Sequence, residues 1–336
     1  MTEPTSTNKR QRANSDAVVD KDAPNLIKRD EEFWFDDGNI VLIARNIEFK
    51  VFKSILAKHS PFFKDMFSLP PPILAGISPG SSQVTNFRHV LRVCMPETNL
   101  SYSSFTAEGK PTFEMVSKAF AVARMAHKYQ MHDMLAPVMH YLKRFFPDDL
   151  AEWPNSPFCY LLPDRPDMAI LAIGAVNLAH LADEPALLPT ALLICCMLKS
   201  ADLLKGLARE DGSHEHLALE DLGRCLDARG RLTEKILVLA TRIFAPLPAQ
   251  GCTAPVACEK LLQRMLLGVG KQAMLFADPD VFTHWPGVYE TSFLASCCEH
   301  CREMLRVRDG KERQAVWDEL PGIMGVHVDN WVKEKS

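Results

Sequence analysis

The sequence has little excess charge of either sign and no apolar run long enough to cross a membrane. Its 42 acidic and 38 basic residues leave a net charge of −4, whereas a protein that binds nucleic acid usually carries a clear excess of basic residues. The longest apolar run, MAILAIGAVNLAHLA, is interrupted by Asn177 and His180 and is shorter than the roughly 18 residues that suggest a span. We therefore expect neither a nucleic-acid partner nor a membrane.

An apolar leader segment is also absent from the sequence. The chain opens MTEPTSTNKRQRANSD, which is polar throughout and does not resemble a secretory signal. The ten cysteines are therefore expected to be reduced thiols in an intracellular protein, either cytoplasmic or nuclear. Residues 1–30 have few apolar side chains and no periodicity, and they are predicted to form a disordered tail.

Motifs that would indicate catalysis are missing or incomplete. Residues 76–80 match G-x-S-x-G, but Ser78 is followed by Pro79, which has no backbone N–H to offer an oxyanion. Residues 268–271 have too few glycines for a phosphate-binding loop, and the two histidines of residues 214–216 are too close for H-E-x-x-H. The latter segment is predicted to be an exposed loop. We predict no enzymatic activity and no cofactor, and a hydrolase acting through Ser78 is the disfavoured alternative.

Cysteines cluster near the C-terminus, but their spacing is not that of repeated C-x-x-C pairs. Zinc needs four tetrahedral ligands. Cys297 and Cys301 share one face if they lie on a helix, and Cys258 with Cys252 or His300 could complete a set. The spacing favours no metal, and a zinc site drawn from these residues stays the alternative. The Cys195-Cys196 pair, in the apolar stretch ALLICCML, is predicted to be core.

Structure is predicted to begin at Phe33, in β-hairpins that turn at DDG (residues 36–38) and at Arg45-Asn46. The next stretch, KSILAKHSPFFKDMFSLP, contains a serine followed by proline, which is a favourable helix start at Ser60. Residues four apart share a helix face. The apolar stripe of this helix is therefore wider than one core contact needs, so the helix is either buried on most sides or offered to a partner.

Helical periodicity dominates the rest of the sequence. A strand is considered at ILAGIS (residues 73–78), and five prolines between Pro147 and Pro166 mark a boundary. No strand alternation is seen beyond that boundary. The helices are predicted near residues 87–94, 113–127, 133–145, 168–182, 187–199, 217–229, 231–245, 255–276 and 288–306.

The order of elements and two segments resemble the BTB/POZ family, and specifically the BTB proteins common in fungi. The segments are FWFDDGNIVLIA…IEFKVFKSILAKHSPFFKDMF and PTFEMVSKAFAVARMAHKYQMHDMLAPVMHYLKRFFPDDLAEW, and together they cover about residues 31–153. The resemblance implies a mainly α chain with a small β-sheet, that is, an α+β BTB/POZ fold followed by an all-helical domain. The expected division is a tail (1–30), a BTB/POZ domain (31–148), a proline-rich linker (149–167) and a helical domain (168–336).

The resemblance also implies a non-enzymatic protein–protein interaction module. Members of the family commonly self-associate, so protein partners and a homodimer are expected, and some members recruit cullin-type ubiquitin ligases. The chain lacks the glutamate that cullin-binding members usually carry just past the helix that begins at Ser60, so a substrate adaptor is the alternative. A competing expectation is that the helical domain covers the association surface. The residues expected to contact a partner are Phe33, Phe35, Phe62, Phe63, Met66 and Phe67.

Overall fold

The computed structural model of this chain has a small three-stranded sheet at its N-terminal end and is otherwise mainly helical, which confirms the predicted fold class. It describes residues 27–69 except 45, 83–95, 111–156, 166–271 except 211, 280–282 and 296–332. The first 26 residues, the segment at residues 73–78 and Ser78 lie outside these ranges.

The sheet consists of β1 (Lys28–Trp34), β2 (Ile40–Ala44) and β3 (Ile47–Val51), in the order β1-β3-β2. The β2–β3 pair is the predicted antiparallel hairpin. The first predicted hairpin is wrong. Strand β1 starts at Lys28 and pairs in parallel with β3, and because β3 lies between β1 and β2 in the sheet, β1 and β2 do not pair. The turn does form, since the Gly38 N–H donates to the carbonyl of Phe35 at 3.0 Å. It passes close over β3, where a Cβ on Gly38 would lie 3.0 Å from the Lys50 carbonyl oxygen.

Short helices α1 (Lys53–His59) and α2 (Pro61–Ser68) follow the sheet, and α3 (Gln83–Cys94) comes next among the described residues. A helical hairpin follows, formed by α4 (Phe113–Lys128) and α5 (His132–Lys143). Both helices agree with the predictions to within a few residues. Pro137 lies in the second turn of α5 rather than the first, on the exposed side of the helix, although an interior proline removes one helical hydrogen bond.

The C-terminal half is helical, and it differs from prediction at several points. Residues expected to form two helices around Gly230 form one, because an exposed glycine inside a helix costs only about 1 kcal/mol. A short antiparallel pair, β4 (Leu207–Ala208) with β5 (His214–Glu215), was not predicted. The helices described here are α6 (Leu171–Leu181), α7 (Leu188–Met197), α8 (Ser200–Lys205), α9 (Leu219–Ile243), α10 (Pro255–Lys271), α11 (Glu299–Asp318) and α12 (Leu320–Ile323), with short 3₁₀ turns at Trp153–Asn155, Pro166–Ile170 and Pro185–Leu187.

Two apolar clusters fill the interior. The sheet core contains side chains from the three strands and from α1, α2 and α3. Buried side chains within residues 125–134 of the α4–α5 hairpin complete it. The helical core begins on the other side of that hairpin and continues without a break to Trp331. Cys195 and Cys196 lie inside it, as predicted. Trp153 also lies inside it, with its ring 5.8 Å from that of Trp317. The α4–α5 hairpin thus packs against both halves of the molecule, with one side in each apolar cluster.

Candidate functional site

The start of α2 is built as the sequence predicted. Ser60 is its N-cap, and the Ser60 hydroxyl oxygen accepts a hydrogen bond from the Phe63 backbone N–H at 3.1 Å. The same hydroxyl donates to the carbonyl oxygen of Tyr129 at 2.5 Å. Pro61 occupies the first helical position, where its missing N–H costs nothing. One buried serine therefore both starts α2 and fastens it to the end of α4.

Two of the six predicted contact residues belong to the core instead. Phe33 and Phe63 are 0% exposed, and the Phe63 ring stacks on Tyr129 at 4.8 Å. The sequence could not separate them from their exposed neighbours, because a stripe of aromatic residues has the same pattern whether it faces the core or a partner. This corrects their predicted role: they support the surface from beneath and cannot touch a partner in this conformation.

The other side of α2 is apolar and only partly covered. Phe62 is 41% exposed and Leu69, just past the helix, is 67% exposed, and Met66 between them is partly exposed. These three residues, spaced four and three apart, lie on one side of the helix, and we call them the α2 face. Leu69 was not among the predicted contact residues, although the spacing from Phe62 could have found it.

The remaining two predicted contact residues are partly buried. Phe67 packs its ring 5.7 Å from Phe63 and has the Lys53 ammonium 5.8 Å from its centroid. Phe35 lies beyond β1, with its ring 5.3 Å from Phe52. Neither is as exposed as Phe62. Phe67 lies on α2 itself, whereas no contact joins Phe35 to the α2 face among the described residues.

The helical half of the molecule does not cover the α2 face within the described ranges. The apolar side chains packed around α2 come from the sheet, α1, α3 and the α4–α5 hairpin, and none lies beyond Leu135. The face therefore remains available to another molecule as far as these residues show, and the contacts give no support to the competing expectation of a lid.

The helical half instead attaches to α4 through a buried carboxylate that the sequence did not reveal. Glu215 is 6% exposed, and its oxygens accept from the Arg124 guanidinium at 2.6 Å, the Arg209 guanidinium at 3.0 Å and the Asn177 amide at 3.0 Å. The exposed loop predicted at residues 214–216 is instead strand β5 with Glu215 buried, although His214 and His216 are exposed as expected. Sequence spacing carries no sign of these partners because they come from three separate elements.

A cleft of about 150 Å³ lies beside this carboxylate, between α3, α4 and the β4–β5 pair. His89 lines it, 2% exposed, with Nε2 3.1 Å from a carboxylate oxygen of Glu210 and Nδ1 3.2 Å from the Arg92 guanidinium. Burial lowers the pKa of His89 from its usual 6.5, although Glu210 opposes that shift. His89 pairs with Glu210, and Arg124 pairs with Glu215. These pairs join α3 and α4 to the segment around β4 and β5 and so hold the two halves together.

Four cysteine thiols form a further cluster, at the other end of the helical half. The Sγ atoms of Cys252, Cys258, Cys298 and Cys301 all lie within 4.8 Å of one another, and we call this group the thiol cluster. Cys297 and His300, which the sequence analysis considered as ligands, are outside the group. Helix α11 spans Glu299–Asp318 with Cys298 as its N-cap, so Cys297 lies before this helix. Residues 288–295 of the helix predicted at 288–306 lie outside the described ranges.

No helix in the described part of the chain combines the length and the apolar composition that crossing a bilayer requires.

Comparison with known proteins gives one match. The model of the BTB/POZ domain family matches residues 29–145, which span the sheet, α1 to α3 and the α4–α5 hairpin. The match supports the resemblance to the BTB/POZ family for these residues. Neither the curated proteins nor the solved structures include a significant match. The matched segment therefore contains the α2 face, and the Glu215 attachment and the thiol cluster lie beyond it.

Proposed function

On the premise that residues 29–145 are a BTB/POZ domain, we propose that the chain is a non-enzymatic scaffold or regulator that self-associates as a homodimer through the α2 face. A BTB/POZ domain is a protein–protein interaction module. The observation that carries the proposal is the division of one short helix: Phe63 is 0% exposed, whereas its neighbour Phe62 is 41% exposed.

Burial of the α2 face against a second copy would favour a dimer, although the cost of association is of similar size. Burying roughly 300 Å² of apolar surface contributes about 7 kcal/mol before the entropy of association is subtracted. Aromatic anchors at the centre of a contact supply a large share of such energy. A twofold arrangement would bring the same face of both copies together, with Phe67 beside it on the same helix.

The proposal is tested by co-expressing two differently tagged copies of the full chain. We expect each tag to recover both copies, and we expect the Phe62→Glu variant to abolish this recovery because a buried, unpaired carboxylate is costly. Lys64→Glu, on the exposed side of the same helix, is the control and should leave recovery intact. Undiminished recovery with Phe62→Glu in both copies would contradict the assigned surface.

The alternative function is that of a substrate adaptor for a cullin-type ubiquitin ligase. The observation in its favour is Leu69, which is 67% exposed at the end of α2, where the family resemblance implies that a cullin docks. Against it, the sequence Phe67-Ser68-Leu69-Pro70 lacks the usual glutamate. Binding of a cullin N-terminal region that Leu69→Asp abolishes would favour the adaptor. No binding by the full chain would favour the scaffold.

Two finer assignments belong to the same proposal. An intracellular location, in the cytoplasm or nucleus, is supported by the cysteine content of the sequence. Membership of the fungal subgroup of BTB proteins rests on the segment from Phe33 to Phe67. Expression of a fluorescent fusion in the native cell tests the first assignment.

A further inference from the structure

The thiol cluster is assembled from two separate stretches of chain. Cys252 lies in the loop between α9 and α10, and Cys258 lies in the first turns of α10. Cys298 is the N-cap of α11, and Cys301 is in its first turn. Cys252 and Cys298 are 46 positions apart in sequence, so the fold itself, rather than local spacing, brings the sulfur atoms together.

Distances within the cluster fit a tetrahedral metal site and not a disulfide. Cys252 Sγ is 3.5 Å from both Cys298 Sγ and Cys301 Sγ, and no pair in the group exceeds 4.8 Å. Four sulfur atoms at about 2.3 Å from a central zinc ion would be about 3.8 Å apart. A disulfide needs about 2.05 Å between its sulfur atoms, so the observed spacing is that of separate thiols around a common centre.

Backbone N–H groups point at the sulfur atoms, as they do where thiolates bind metals. The Ala249 N–H donates to Cys301 Sγ at 3.3 Å. The backbone N–H groups of Cys301 and Thr253 donate hydrogen bonds to the Cys298 sulfur. Such donors stabilise a thiolate and fix its orientation.

The loop that carries these donors is itself held in place. The Arg308 guanidinium, on α11, donates to the carbonyl oxygens of Ala245 at 3.2 Å and Leu247 at 3.0 Å. These contacts fasten the segment before Cys252 against the helix that supplies Cys298 and Cys301. The sulfur atoms are therefore positioned by a shell of hydrogen bonds, as a preorganised site requires.

We propose that the thiol cluster binds one structural zinc ion through all four cysteine thiolates. Four sulfur ligands in a compact group select zinc over the oxygen-preferring cations, and four protein ligands leave no open position for catalysis. Each thiol that is still protonated releases its proton to solvent when the metal binds, and no electron is transferred.

A zinc ion at this place would clamp the loop before α10 to the start of α11. Cys258 and Cys301 are 0% exposed, whereas Cys252 and Cys298 are partly exposed, so the metal has a route in from solvent. The proposal reverses the expectation of no metal, which rested on a cysteine spacing unlike that of repeated C-x-x-C pairs. It is independent of the proposed self-association, because the thiol cluster lies outside residues 29–145.

The direct test is metal analysis of the full chain purified in reducing buffer without chelator. We expect about one zinc per chain. After replacement by Co²⁺, we expect the visible absorption and sulfur-to-metal charge transfer of a tetrahedral tetrathiolate. About one iron with a four-sulfur spectrum would contradict zinc as the occupant. Less than about one tenth of an equivalent of any metal, both as purified and after zinc is added, would overturn the proposal.

Variants identify the ligands. Cys298→Ser and Cys252→Ser replace the two partly exposed cysteines, so both variants should fold, and each should lose the bound zinc or the four-sulfur cobalt spectrum. Cys297→Ala changes the adjacent cysteine outside the cluster and should keep about one zinc per chain. Retention of the four-sulfur spectrum by Cys298→Ser, or its loss in a folded Cys297→Ala, would contradict the assigned ligand set.

Discussion

At the scale of single residues, the interaction proposal depends on the contrast between two adjacent phenylalanines. The Phe63 side chain is enclosed, with the Tyr129 ring 4.8 Å away on one side and the Phe67 ring 5.7 Å away on the other. Phe62 contacts the same Tyr129 ring at 5.5 Å, but a large part of its own surface remains open. Substitution of Phe63 should therefore lower mainly the stability of the fold, and substitution of Phe62 should weaken mainly self-association.

We expect Phe63→Ala to lower the free energy of unfolding by about 3–5 kcal/mol, because it leaves a cavity in the sheet core. Phe62→Ala should cost less than about 1.5 kcal/mol, since its side chain is partly solvated in the monomer. Urea unfolding of both variants at protein concentrations low enough to keep the chain monomeric measures the difference. Equal losses would show that Phe62 is as deeply packed as Phe63.

His89 predicts a pH dependence of stability. Its pKa in the folded protein is lowered from 6.5 by burial, with Arg92 and Lys118 adding to the shift and Glu210 opposing it. The folded state therefore binds fewer protons at His89 than the unfolded state does. The stability due to neutral His89 is present above pH 6.5 and is lost as the pH falls toward its folded pKa, by at most about 1.4 kcal/mol per pH unit.

Urea unfolding between about pH 7.5 and 5.5 tests this dependence. His89→Gln cannot titrate and should flatten the profile. His327→Gln, whose side chain is 91% exposed in the native protein, should leave the profile unchanged. A profile for His89→Gln as steep as that of the native chain would contradict the assignment.

At the scale of elements, the long helix α9 crosses a glycine without a break. Gly230 is exposed in the middle of Leu219–Ile243, and a Cβ added there would meet nothing within 4 Å. Gly206 provides the opposite case. It has φ +79°, and a Cβ there would lie 2.5 Å from the carbonyl oxygen of Glu215.

Gly230→Ala should raise the free energy of unfolding by about 0.5–1 kcal/mol, because alanine loses less backbone freedom on folding. Gly206→Ala should destabilise the protein, since the added Cβ strains the backbone and crowds β5. Thermal unfolding followed by circular dichroism compares the two variants. A lower melting temperature for Gly230→Ala would indicate a break in α9 near that position.

Local signals in the sequence predicted most of these elements but not their partners. The Ser60-Pro61 helix start and the β2–β3 hairpin depend on neighbouring residues, and both were predictable. The parallel pairing of β1 with β3 depends on how the chain passes over β3 at Gly38. The sequence pattern predicts a turn at residues 36–38, but it does not predict which strand pairs with β1.

At the scale of the whole molecule, the two halves share the α4–α5 hairpin. One side of the hairpin belongs to the sheet core, and the other belongs to the helical core through residues such as Phe120, Val138 and Leu142. The thiol cluster is likewise a property of the whole fold. The sequence showed the cysteines, but only the fold, which brings Cys252 and Cys258 to the start of α11, shows which four of them meet.

A fragment that ends at Ser156 should therefore be poorly folded, although it contains the entire matched segment. Truncation there would expose the helical-core side of α4 and α5, a patch far larger than soluble monomers usually show. We expect aggregation or binding of a hydrophobic dye, with no cooperative thermal transition. A monodisperse fragment that unfolds cooperatively would show that residues 27–156 form an independent domain.

The α2 face is proposed to join two copies of the chain. Light scattering across a range of concentrations tests this by measuring the mass of the protein in solution. The full-length protein should reach twice the mass of one chain at tens of micromolar. Phe62→Glu should stay at the mass of one chain, and Lys64→Glu should behave as the native protein does. A native chain that remains a monomer throughout, or a Phe62→Glu variant that still dimerises, would contradict the claim.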